Sequence, residues 1–181
     1  HYRQDPSGTA AEAFAKRYCH LEAEIAMVGV FDTVKALGLR LPLLWMLTDK
    51  RNAFHSPELG LGIRRGAQAL ALHETRAAFQ PVLWDVPPDR LAAVEQVWFR
   101  GAHADVGGQI GDFAAARPLA NISLVWMLDR AEALTLALPE GWRARFPCDP
   151  DAPMVGTWRS WGKAFLLRRR REVGRDRSER L

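Results

Sequence analysis

Two apolar runs of strand length, each stopping on a side chain that can hold or move a proton, constrain this chain more than any other feature. Ile25-Ala26-Met27-Val28-Gly29-Val30-Phe31 is nearly continuous in its apolarity and ends on Asp32-Thr33. Continuous rather than alternating apolarity is what a strand covered on both faces requires, so the run reads as a buried parallel strand. The second run, Val94 to Phe99, halts at Gly101 and is followed by His103, Asp105 and the pair Gly107-Gly108. In a sheet of parallel strands, chemistry gathers just beyond the carboxyl ends of the strands. A histidine there has a rigid strand behind it, and the two glycines let the backbone fold tightly beside the ring. Plainer readings stand next to this one. Asp32 is also a good N-cap for a helix starting at Thr33, and His103 can be a hydrogen-bonded loop residue or a metal ligand with Asp105.

The remaining segments place those runs in an α/β frame. Residues 1–9 are polar and read as a loose entry; Ala10 to Leu21 has helical composition, with Ala11, Phe14 and Tyr18 at helical spacing. Residues 38–62 are punctuated by glycine, proline and asparagine and read as a long excursion with a short helix, either a lid or a packed loop. Ala67, Leu70, Ala71 and Glu74 follow at three- and four-residue steps, so Ile63 to Phe79 is predicted helical. His73 is then a helix-surface residue. Pro81 to Trp84 reads as a short strand, and Pro118 to Leu138 as the longest helix, stopped by Pro139 and Gly141. Trp142 to Trp161 reads as an irregular cover, with the tryptophans at 126, 142, 158 and 161 as core and cover. Helices alternating with strands favour a mainly parallel sheet, although three convincing strands are few for one.

The 181 residues are 48% hydrophobic, enough to bury a core. The formal charge of +4 is a property of the end of the chain. Seven of the 25 basic and three of the 21 acidic residues lie in 168–181, so the rest is neutral. That end reads as a solvated or disordered basic tail, or the start of a helix cut short, and nucleic acid is not expected as a partner because no aromatic residue follows Phe165 to stack on bases. Cys19 and Cys148 form no paired motif, and the five histidines show no metal-binding spacing. Asp105 and Asp112 offer too few oxygens for a hard cation, so neither a metal nor another cofactor is expected. No apolar run is long enough to cross a bilayer. The chain opens His1-Tyr2-Arg3-Gln4 with neither an initiator methionine nor a signal-peptide pattern, and is expected to be a piece of a longer protein.

Four segments, in order, carry a family resemblance. They are Gly29 to Val34, Ala69 to Phe79, Trp98 to Gly108 and Ile122 to Ala131. Together they resemble the α/β-hydrolase domain family that includes the phospholipase effectors of bacterial type VI secretion, over residues 25 to 132. The second segment resembles the family's helix before its third strand, and the fourth its helix after the histidine loop. The resemblance implies a serine hydrolase with Asp32 as triad acid and His103 as general base. Thr33, Asp105, Gly107 and Gly108 are candidates for supporting the site; Asp105 reads first as a loop-ordering acceptor for backbone N–H groups, with substrate contact as the alternative.

What the family pattern requires and this chain lacks is a nucleophile. The elbow of such a hydrolase is G-x-S-x-G on a sharp strand-to-helix turn. The serines stand at 7, 56, 123, 160 and 178, and none has both glycines; Ser160 has Gly162 after it but Trp158 before it. The expected architecture is therefore a partial α/β-hydrolase-like fold: a mainly parallel sheet flanked by helices, without the N-terminal strands and elbow. Residues 1–138 would form the C-terminal part of the hydrolase domain, 139–167 a Trp/Pro-rich cover and 168–181 the tail. The expected activity is that of a phospholipid or other ester hydrolase, inert without its serine-bearing half in cis or trans. A secretion apparatus or an immunity protein would be a further partner. The producing cell's cytoplasm, followed by delivery to a target cell, is the expected location. The alternative is a non-catalytic hydrolase remnant kept as an interaction module.

Overall fold

A computed structural model of the chain describes residues 8–20, 23–34, 59–60, 62–174 and 178–180. Among these residues four parallel strands lie side by side in sequence order: β1 Ile25–Phe31, β2 Ile63–Ala71, β3 Val94–Phe99 and β4 Glu179–Arg180. Among the described residues the helices are α1 Thr9–Tyr18, the single turn α2 His103–Val106 and α3 Arg117–Ala133, with short 3-10 turns between. The fold is α/β with an all-parallel sheet flanked by helices, as the strand runs imply.

The largest correction falls on Ile63 to Phe79. Its first nine residues form β2, and only Ala77–Phe79 makes a helical turn, of 3-10 type. Alanine and leucine are good helix formers, and their three- and four-residue steps mimic an amphipathic face. Tertiary context overrides both, because a strand between two parallel neighbours is buried on both faces whatever its period. Ala67, Gln68, Ala69, Leu70 and Ala71 are all buried. The alanines also serve packing. Ala67, Ala69 and Ala71 share one face and meet Val106 and Met127 in the main core cluster, so α3 can lie close to the sheet. Gly29 of β1 belongs to the same contact: a Cβ there would sit 2.6 Å from the Met127 sulfur.

β1 differs from expectation in exposure. It is half-exposed, and among the described strands it forms the edge of the sheet. Pro81 to Trp84 is not a strand; Pro81 makes one isolated antiparallel bridge with Val34. Helix α3 begins with Pro118 in its first turn and ends at Ala133, before Pro139 is reached, where Thr135 turns to φ 73°. α1 forms nearly as expected, yet none of its residues is buried and Phe14 and Tyr18 are exposed. Trp142 is buried and Trp126 packs on Phe99, whereas Trp158 is exposed. The excursion at 38–62 falls largely outside the described residues.

The basic tail is not solvated throughout. It supplies β4 beside β3, and Ser178 and Arg171 are buried. Gln96, buried on β3, donates to Ser178 Oγ at 2.6 Å, and the Trp98 indole N–H donates to Glu179 at 2.7 Å. Polar groups buried on a strand must find partners, and here the tail provides them.

Candidate active site

The carboxyl ends of β1, β2 and β3 are where the site is assembled. Asp32 follows β1 directly and takes φ 47°, a left-handed conformation uncommon outside glycine but tolerated by aspartate. The turn sends its carboxylate across the end of β2, where it is fully buried and accepts the Ala71 N–H at 2.9 Å. Asp32 does not cap a helix at Thr33, since neither Thr33 nor Val34 is helical.

His103 arrives from the other side of β2. The β2–β3 pairing is prolonged by Leu72 N–H to Phe99 O (2.9 Å) and His73 N–H to Gly101 O (2.8 Å). The turn after β3 is thereby hooked onto the turn after β2. His73 is part of that hook rather than of a helix face: its Nδ1 accepts the Gly101 N–H at 3.1 Å. Gly101 has φ 122°, and a Cβ there would lie 2.5 Å from Cβ of Asp105, so the turn requires glycine. Asp105 reaches back to the Ala102 N–H at 2.8 Å and also accepts the N–H groups of Val155 (2.6 Å) and Gly156 (3.2 Å). It ties the histidine turn to the cover segment. Gly107 closes α2 on the His103 carbonyl at 2.9 Å; Gly108 follows at φ 75°, and Thr33 is exposed beside Asp32.

These constraints bring His103 Nδ1 to 2.7 Å from Asp32 Oδ2. The imidazole keeps about a quarter of its side-chain surface open, against none for the carboxylate. Its ring packs edge-on against Phe79 at 5.1 Å, and Phe79 in turn meets Phe165. One ring nitrogen thus faces the acid, and among the described residues no hydrogen bond reaches the other, Nε2. Burial alone would raise the Asp32 carboxyl. Hydrogen bonds from His103, Arg171 and Ala71, with the Arg171 charge, outweigh burial and hold it below its ordinary 3.8.

Two supporting residues have no counterpart in the sequence reading. Glu74, buried, accepts the His103 backbone N–H at 3.2 Å and pairs with Arg76, whose guanidinium lies 3.8 Å over the Phe79 ring. Burial would raise this carboxyl too, but Arg76 and the two backbone N–H groups hold it below its ordinary 4.5. The signal for Glu74 was an acidic residue two positions before an arginine at a strand end. Arg171 is the second. It emerges from a run of four arginines that the sequence does not distinguish, and forks onto Asp32.

Ser123 and Ser178 are buried with hydroxyls bonded elsewhere, Ser123 to the Val106 and Ala120 carbonyls and Ser178 to Gln96. The described residues contain no group of three or more His, Cys, Asp or Glu side chains able to hold a metal ion. None of the described helices is long and apolar enough to cross a membrane.

Residues 1–130 match the family model described as T6SS, Phospholipase effector Tle1-like, catalytic domain. The chain belongs to that family. No curated protein and no solved structure matches it. The Tle1-like match spans β1 to β3, the histidine turn and most of α3, and so includes Asp32, Glu74 and His103. Arg171 and β4 lie beyond the matched residues; in the fold Arg171 reaches Asp32, while β4 pairs with β3 at Gln96 and Val97.

Proposed function

We propose that this chain supplies the acid and the general base of a serine lipid-ester hydrolase of the Tle1-like family, acting on phospholipid. The observation that carries the reading is the 2.7 Å contact between His103 Nδ1 and a fully buried Asp32, with no hydrogen bond to Nε2 among the described residues. In the tautomer that the acid favours, Nδ1–H donates to Asp32 and Nε2 is a free acceptor. Nε2 would take the proton of a serine hydroxyl as its oxygen attacks the ester carbonyl. It would return that proton to the departing alcohol, and then assist water in releasing the acyl group. Asp32 holds the tautomer and stabilises the imidazolium formed in each half-reaction.

The serine would come from a segment outside these 181 residues. A strand added along β1, which is the edge of the sheet among the described strands, would put an elbow next to Asp32. The chain alone is accordingly inert, and family membership points to delivery by type VI secretion, with an immunity protein as natural antagonist. The test is fatty-acid release from phospholipid vesicles by the complete protein, beside its His103→Ala variant and the 181-residue chain. Release by the complete protein alone is the expected pattern. Full activity in the variant, or release by the chain itself, would refute the reading.

A further inference from the structure

We propose that Arg171 is the positioning residue of this site: from the C-terminal tail it clamps the Asp32 carboxylate so that one oxygen is presented to His103. The inference concerns how the acid is held, and it deepens the functional reading above.

The hydrogen bonds leave the carboxylate no freedom to turn. Oδ1 accepts the Ala71 N–H at 2.9 Å and Arg171 Nη1; Oδ2 faces His103 Nδ1 at 2.7 Å and accepts Arg171 Nη2 at 3.0 Å. Each oxygen thus has two partners, close to the capacity of an ionised carboxylate. The planar fork matches a carboxylate in a way an ammonium does not. Arg171 is itself anchored, donating to the Ala71 carbonyl at 2.7 Å and to the Phe79 carbonyl at 2.5 Å. Those anchors are the end of β2 and the turn whose phenyl ring packs on His103.

Burial makes the choice of this arginine specific. In the run 168–171, Arg169 and Arg170 are exposed and Arg168 is half-buried over Trp158, while the Arg171 side chain is 1% exposed. A guanidinium taken out of water is costly unless it is paired, and its pair here is the carboxylate that faces His103. Other charged groups around His103 are Glu74 at its backbone N–H, Arg76 beyond the Phe79 ring and Asp105 within its own turn. All three have principal partners other than the Asp32 carboxylate.

The test uses the 181-residue chain and needs no catalysis. In proton NMR, the hydrogen shared by His103 and Asp32 should give a resolved low-field signal, and carbon NMR should follow the Asp32 carboxyl through a pH titration. In Arg171→Met the low-field signal should be lost to exchange, and the Asp32 carboxyl should titrate at higher pH than in the wild type. In Arg171→Lys, which keeps the charge but not the fork, the titration should stay low while the low-field signal weakens. Should Arg171→Met not fold, Arg171→Lys decides by that weakening. A variant that folds and leaves both readouts at their wild-type values would overturn the inference and make Arg171 a structural residue only. Because neither readout involves hydrolysis, failure here is separate from failure of the vesicle assay.

Discussion

His103 and Asp32 are 71 residues apart in the chain and 2.7 Å apart in the fold, joined across the end of the strand that lies between theirs. Alanine at the end of that strand makes the crossing possible: Ala71 is fully buried beneath the pair and adds its own N–H to the acid. If the pair is the base and acid of a hydrolase, Asp32→Asn keeps the shape and destroys the tautomer preference. An amide NH2 facing Nδ1 favours the ring form with its proton on Nε2. In the complete protein, kcat for ester hydrolysis should fall ~10^4-fold, with vesicle binding unchanged. A loss below about tenfold would mean that Asp32 is not the acid.

Glu74 holds the histidine from behind, through its backbone rather than its ring. Removing the carboxylate leaves Arg76 largely buried without its pair and frees the His103 N–H. Breaking a buried pair by deleting one partner costs ~3 kcal/mol, so Glu74→Ala should shift the urea midpoint sharply downward. A double-mutant cycle with Arg76→Ala should show a coupling of ~1 kcal/mol or more. Additive effects would show that the 2.6 Å ion pair carries no energy.

The legible part of this protein was the part in which local chemistry and position agree. The apolar runs at 25–31 and 94–99 form strands, and the acidic and imidazole side chains that end them meet. The hidden part was decided by neighbours. Ile63 to Ala71 has helix-forming residues at helical steps, and only its place between two strands makes it a strand. Arg171 is chemically identical to Arg169 and Arg170; which of them is buried depends on where the tail turns inward, a property no local pattern encodes. Conversely, the strand-like composition of Pro81 to Trp84 yields only an isolated bridge, because Gln68 and Gln96 side chains bond the backbone of Val82 and Trp84 in place of a strand partner.

Gly101 connects β3 to the histidine, and its conformation leaves no room for a side chain. At φ 122° an L-residue is strained, and the added Cβ would press on Asp105 Cβ, an atom that cannot move without its backbone. Gly101→Ala should therefore cost ~2–3 kcal/mol by combined strain and overpacking. It should also displace His103, two residues on. Chemical denaturation measures the first effect, and the low-field His103–Asp32 proton signal the second. A variant as stable as wild type would show that the turn can be built another way.

Acid should unfold this protein partly through Asp32 and Glu74. Both carboxyls are held below their ordinary values of 3.8 and 4.5 in the fold. In that window the unfolded chain binds more protons than the folded one, so stability rises with pH there. Their contribution is complete above the ordinary values and is lost as pH falls through the lower, folded ones. Urea midpoints measured from neutral pH down to acid should fall most steeply below about pH 4.5. Asp32→Asn and Glu74→Gln should each flatten that fall, being less stable than wild type at neutral pH and converging on it in acid. Curves parallel to wild type over the whole range would assign acid unfolding to other groups.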